Sequence, residues 1–534
     1  MEPNQFYSES MIDAILKVEM LENLTDVDAL NLIGQLIDLS DIFDRVDCLD
    51  KAFKLSDELG GRALSDEDAA LFHYFRSNAW AALRKHKLTD PKLAWSWEQP
   101  EIVKELYHLR SAMRHTGFIQ LDVVRCCQIF TNTANLLNTL GRCSEAVECW
   151  NRALKIIPNF AMALGNRGYG LMSYARILYD EGHAVLMMKF AYDDLRNASA
   201  DNAFFDFPDY ADVKEAMARE AESIAVHMDI GKVAESIILE GHSLGKSKKE
   251  REYRQWCLHQ RLFLTPLNDL GTYSIASRDI FTLPSLVLGA KEPPTLLGFY
   301  NQLKQEYIAA RFLYFDGKEC SGHHFADRDV LLYNTLDYPA YSISVEKVKT
   351  AFRISYSLFD KMAYFINAYW NLGMPERSIN FRTIWYAESK KGQQHSLRDS
   401  FSGYENLPLR GLYWVSKDLL GTDADLADTM EPDAEALSTI RNHLEHKYLK
   451  VHDPPWNLES FSDSIHDPFR DSMAYSVSRD DFEAKCLRLL KLARAGLIYL
   501  SLAVFQEERL RAKGRDNYLV MPMALSTWPD QWKR

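Results

Sequence analysis

From about Met11 to Leu239, apolar residues recur mostly at helical spacing and are broken by short polar turns such as Gly60-Gly61 and Thr89-Asp90-Pro91. Strand-like alternation hardly appears there, so the pattern predicts paired helices over residues 1–240. A second periodic region begins near Val345. Its first helix carries Phe359, Met362, Phe365, Ile366 and Tyr369 on one side, and Gly373 with Pro375 marks its end. Leu407 to Leu420, Pro432 to Val451 and Asp480 to Lys513 complete four helical segments, the outline of a bundle over residues 344–534. Residues 241–343 between them are aromatic and turn-rich, with one helical stretch from Phe299 to Phe315, and read as a junction. The predicted fold class is all-α.

The clearest unit of the first region runs from Asn132 to Pro158. Gly141, Glu145, Ala146, Trp150, Ala153, Leu154 and Pro158 stand there in the order of a tetratricopeptide (TPR) repeat, which this unit resembles. Gly141 ends the first helix of that pattern, Ala146 and Ala153 sit where the antiparallel helices touch, and Pro158 stops the second. A following copy starts at Asn159, Ala161, Ala163, Asn166 and Gly168 and departs from the consensus around Ala184 to Leu195. The resemblance implies either a concave binding surface or a scaffold that packs against its neighbour.

The 534 residues exceed what one hydrophobic core usually serves, and 47% hydrophobic with 26% charged residues is a globular balance. A net charge of -13 argues against a generally basic, nucleic-acid-coating surface, so any RNA contact must be local. The acidic excess falls almost entirely before about residue 343, and the remainder is roughly neutral. Eight cysteines without a CxxC pair point to reduced thiols rather than a zinc ribbon or a redox motif. No basic-then-apolar leader opens the sequence, and the apolar run from Leu497 to Phe505 is too short for a bilayer; a cytoplasmic protein is expected.

Two strings in the junction imitate active-site motifs. Gly241-His242-Ser243-Leu244-Gly245 spells a nucleophile elbow, but the charged Lys246–Arg251 follows and no βα alternation surrounds it, which makes a serine hydrolase at Ser243 the least favoured alternative. Gly245-Lys246-Ser247 ends like a P-loop, yet Glu240 stands where its first glycine belongs and would repel phosphate. His323, His324, Asp327 and Asp329 share one loop without a helical i, i+4 ligand pair, so no metal and no cofactor is expected.

The third bundle segment carries Arg441-Asn442-His443-Leu444-Glu445-His446-Lys447-Tyr448. At roughly 100° per residue, Leu437, Ile440, Leu444 and Val451 form an apolar stripe with Tyr448 at its edge. Arg441, Asn442, Glu445 and His446 fall outside it, Arg441 and His446 about 140° apart, so all four can line one exposed groove. A plain solvated face, with Arg441 and Glu445 as a weak i, i+4 pair, is the competing reading, and His443, pointing away from Arg441, is structural.

An arginine, a polar residue and a histidine at this spacing on a helix of a four-helix domain resemble the HEPN superfamily, and a helical repeat joined to such a domain resembles HEPN architectures. The resemblance implies a metal-independent endoribonuclease, a toxin or antiviral defence effector, acting where two HEPN domains dimerise. Arg441, Asn442 and His446 would be its catalytic residues, RNA its substrate and a homodimer its working state. Arg441, His446 and Tyr448 also match the string of HEPN toxins whose tyrosine is adenylylated by a partner nucleotidyltransferase. No such transferase motif occurs in this chain, so that partner, or another antitoxin, would be separate. The alternative from another class is a non-catalytic TPR/HEPN interaction protein.

Overall fold

The computed structural model describes residues 9–18, 20–208, 210–320, 322–387, 396–420, 434–453, 471, 473–515 and 519–533; Pro432, the expected start of the third bundle helix, lies outside them. The all-α expectation holds: helices dominate, and the described residues add one small two-stranded sheet.

The N-terminal helices are α1 (Asp26–Ile42), α2 (Val46–Leu59), α3 (Asp66–Lys87), α4 (Pro100–Arg114), α5 (Val123–Thr139), α6 (Cys143–Ile156), α7 (Ala161–Ile177), α8 (Glu181–Ala198) and α9 (Ala211–His227). Successive helices pack as pairs, α1 with α2, α3 with α4, α5 with α6 and α7 with α8. Local chemistry sets their starts: the hydroxyls of Thr25 and Ser65 accept from the amides of Asp28 and Asp68, satisfying donors that a helix leaves open. In the α5–α6 pair Ala146 and Ala153 are buried where the helices meet. The buried Trp150 donates its indole N–H to Asn135 at 3.1 Å and packs against Gly170, where a Cβ would collide with its ring. Gly141 has φ 83°, as its place in the α5–α6 turn requires.

The junction holds α10 (Lys248–Gln260), and the C-terminal part contains α11 (Thr295–Lys318), α12 (Ile343–Tyr369), α13 (Leu407–Leu420), α14 (Ala434–His446) and α15 (Arg479–Ala512). Ser342 and Ser478 cap α12 and α15. The middle of α15, from Leu489 to Val504, is buried almost residue by residue because α11, α12 and α13 all pack around it. The periodicity placed α11 outside the bundle; its contacts put it inside, with α12 as its main neighbour.

Array, junction and bundle share one core. Asp418 of α13, fully buried, accepts two hydrogen bonds from Arg110 of α4 at 2.7 and 2.8 Å and another from Arg142. Arg494 of α15 donates to Asp269 and to the Phe263 carbonyl of the junction, both at 2.6 Å. Trp97 stacks on Phe401 with ring centroids 5.4 Å apart and donates to the Tyr404 carbonyl. Gly141 itself meets α13, where a side chain would run into the Leu407 carbonyl. All eight cysteines are free. No described helix is long and apolar enough to cross a membrane.

Candidate active site

Helix α14 buries Leu437, Ile440 and Leu444, as their spacing predicts, and this fixes which residues face outward. Arg441 is half-buried, and Asn442, Glu445 and His446 are exposed. The Arg441 guanidinium lies over the ring of Tyr356 on α12, 5.5 Å from its centroid, and donates to Asn442 at 3.3 Å. Burial pushes the Tyr356 phenol up to about 12 despite the nearby Arg441 charge, so this ring stays a neutral platform.

Glu445 turns away from Arg441. Its carboxylate lies 3.8 Å from Nε of Arg353 on α12, and Arg353 also donates to the Leu444 carbonyl at 2.6 Å, at the C-terminal end of α14 where a cation is favoured. The weak i, i+4 pair expected for a merely solvated face is therefore replaced by a contact between helices. Among the described residues Arg441 has no carboxylate partner and His446, the last residue of α14, has no hydrogen-bond partner. His443 is engaged differently: its Nδ1 lies 2.8 Å from the Thr439 carbonyl, and its ring packs 5.4 Å from Tyr475.

One expectation is corrected. The helix does not continue to Val451; it stops at His446, and Tyr448 opens β1 (Tyr448–His452), which runs parallel to β2 (Ala474–Ser478). Tyr448 pairs in register with Ala474 and Val451 with Val477. Val451 is buried as its apolar character requires, but on a strand. The buried Lys450 lies between Asp337 and Asp471, 2.9 Å from the latter. Burial pushes the Asp337 carboxyl up, but hydrogen bonds from Lys450 and Thr335 outweigh it and hold the group below the usual range. Tyr448 is thus carried by a strand edge, half-exposed beside the end of α14.

Sequence reasoning missed Arg353 and Tyr356, which order the outward face of α14. Both lie on α12 some ninety positions upstream, and only the packing of α12 on α14 brings them there. The other candidates find local uses. Ser243 is exposed, no strand precedes it, and its hydroxyl accepts from the Gly245 amide at 3.2 Å. Glu240 accepts from the Ser274 amide. His324 and Asp327 cap turns, accepting from the amides of Ala326 and Ile343, and no described group of three or more His, Cys, Asp or Glu is arranged for a metal.

The comparison with family models identifies the helical bundle that carries α14. Residues 287–507 match the LA2681-like HEPN family, and the C-terminal region of this chain is an LA2681-like HEPN domain. The match begins before residue 344 and takes in α11. The N-terminal paired helices lie outside it. Neither the curated proteins nor the solved structures give a match.

Proposed function

We propose that the HEPN domain is an endoribonuclease, working as a toxin or antiviral defence effector, with Arg441, Asn442 and His446 as its catalytic residues. The observation that carries this reading is the engagement of Glu445 by Arg353, which leaves the Arg441 guanidinium and the His446 imidazole without a carboxylate partner on one outward face. An uncompensated guanidinium five positions before an accessible imidazole on one helix suits a phosphodiester. A neutral His446 takes the proton of a ribose 2′-OH, whose oxygen attacks the phosphorus. A protonated His446 from a second copy gives a proton to the departing 5′-oxygen. Arg441 holds the charge that builds on the phosphoryl oxygens, and Asn442 orients the phosphate. The working unit on this reading is a homodimer whose two α14 helices face each other, and the reaction draws on these side chains rather than on a metal.

The N-terminal array, TPR-like in its α5–α6 pair, serves to sense a trigger or restrain the domain. A cavity of about 230 Å³ between α3, α4 and α5, lined by Asn78, Asn132 and Asn135 among others, offers it a polar recess. Tyr448, exposed two residues after His446, is the site where a nucleotidyltransferase partner or another antitoxin would act, since a nucleotide attached there adds negative charge at the mouth of the site.

Incubation of purified protein with single-stranded RNA tests the proposal. Cleavage that persists in chelator and falls by at least about 100-fold in His446→Ala is the expected result. Equal behaviour of wild type and variant sinks it and leaves a non-catalytic interaction protein.

A further inference from the structure

Helix α10 ends at Gln260, and Arg261 caps it in the left-handed conformation, φ 57°, where glycine or asparagine is the usual residue. The turn itself has no need of the arginine side chain. That side chain belongs to a seam where the array, the junction and the bundle meet. On α6, Glu148 accepts from Lys491 of α15 at 2.6 Å. One turn further along α15, Arg494 donates to Asp269 and to the Phe263 carbonyl, two residues after Arg261. Asn151 of α6 closes the third side, donating to the Asp269 carbonyl at 3.3 Å and accepting from Arg167 of α7.

The Arg261 guanidinium lies within electrostatic reach of Glu148 and Asp269, and of Arg494 and Arg167. Both carboxylates already have their own cations, Glu148 in Lys491 and Asp269 in Arg494, each at 2.6 Å, while Arg167 is taken by Asp194 of α8. Arg261 has no such partner among the described residues, and its Nη1 is buried without an acceptor there. An N–H of a charged group removed from water is destabilising until an acceptor reaches it. Burial pushes the Arg261 pKa down by more than the Glu148 and Asp269 charges push it up, and the Arg494 and Arg167 charges add to the fall. Burial likewise pushes the Glu148 carboxyl up, but Lys491, Arg261 and Arg152 outweigh it, so positive charge is in excess on this side of α6. The Glu148 and Lys491 side chains keep 36% and 30% of their surface exposed, which opens this end of the seam to solvent.

We propose that Arg261 binds the phosphate group of a small molecule at the seam of array, junction and bundle. Its planar fork of donors matches phosphate oxygens, and an anion there supplies the acceptor and the countercharge that the fold leaves open. An RNA strand suits the place less well, because the acidic excess before about residue 343 repels a long polyanion while one phosphate needs only a local site. A ligand held by Arg261 sits between α6 of the array and α15 of the HEPN domain, which gives the proposed sensing role a ligand class. That role rests on the ribonuclease reading; the binding does not.

The test is calorimetric titration of inorganic phosphate and of adenosine 5′-monophosphate into full-length protein at constant ionic strength, beside melting in phosphate and in chloride. Wild type should bind and melt higher in phosphate than in chloride, and the two ligands separate free phosphate from a phosphomonoester. Arg261→Gln should weaken binding by about 10-fold or more, and Arg261→Lys, which keeps the charge without the fork, by less. Since the glutamine variant removes an unmatched charge, it should melt no lower than wild type in chloride. Absence of binding to wild type, or equal affinity in Arg261→Gln, overturns the site. A glutamine variant that melts well below wild type in chloride also overturns it, by giving Arg261 a structural role. Arg261-dependent binding of a labelled oligouridylate without phosphate binding reassigns the arginine to RNA and overturns it too. His446-dependent cleavage without phosphate binding refutes this site alone, and phosphate binding without any cleavage refutes the ribonuclease reading alone.

Discussion

At the scale of single residues, the exposed face of α14 was legible from spacing because its chemistry is local: Leu437, Ile440 and Leu444 fix the inward side, and Arg441, Asn442, Glu445 and His446 follow outward. What spacing could not supply is which cation Glu445 meets. Glu445→Gln releases Arg353 without touching Arg441, so cleavage should change by less than about threefold, while Arg441→Ala should lower it by about 100-fold or more in the same gel assay. A second residue-scale prediction concerns His108, whose Nδ1 lies 2.9 Å from that of His73. Burial, then the His73, Arg76 and Lys104 charges, push its pKa down to about 3. The folded state therefore resists a proton that the unfolded chain accepts from about pH 6.5 downward. This contribution is complete above that pH and is lost toward pH 3, by about 1.4 kcal/mol per unit at most. Urea unfolding at pH 7.5 and 5.5 should show a larger drop for wild type than for His108→Gln; equal drops contradict it.

Among the elements, long amphipathic helices were readable and the strand was not. Val451 stands seven positions after Leu444, a helical interval, so periodicity alone extends α14 through a segment that instead pairs with β2 more than twenty residues further on. Helix α11 was misplaced for a related reason: its partners α12 and α15 follow after intervening loops, and an isolated helix does not declare its neighbour. Where elements meet, the buried Asp418 joins α13 to α4 and α6 through two arginines whose charges, outweighing burial, hold its carboxyl well below the usual range. Asp418→Ala removes the buried carboxylate that Arg110 and Arg142 share and leaves Arg142 only Glu145; it should cost about 3–5 kcal/mol, read by chemical denaturation. Gly141→Ala should also destabilise the protein, since φ 83° and the Leu407 carbonyl both oppose a side chain there. A variant as stable as wild type would contradict that close approach.

Over the whole molecule, the sequence suggested array, junction and bundle as successive units, whereas the Asp418, Arg494 and Trp97 contacts tie them into one core. Such contacts join residues some 225 to 310 positions apart and leave no periodic trace. A fragment spanning 287–534 exposes the apolar surface around Trp385 and leaves Asp418 without its arginines. It should be poorly soluble, while the full chain should melt in one transition by calorimetry. On the proposed sensing role, a signal to the HEPN domain would pass through these packed contacts rather than by release of a loosely held partner. The most direct measurement is the end structure of RNA fragments formed in chelator. Attack by the 2′-oxygen predicts 2′,3′-cyclic phosphate on one fragment and a 5′-hydroxyl on the other, with neither formed by His446→Ala. Fragments bearing 5′-phosphate, or the same fragments from the variant, would contradict it.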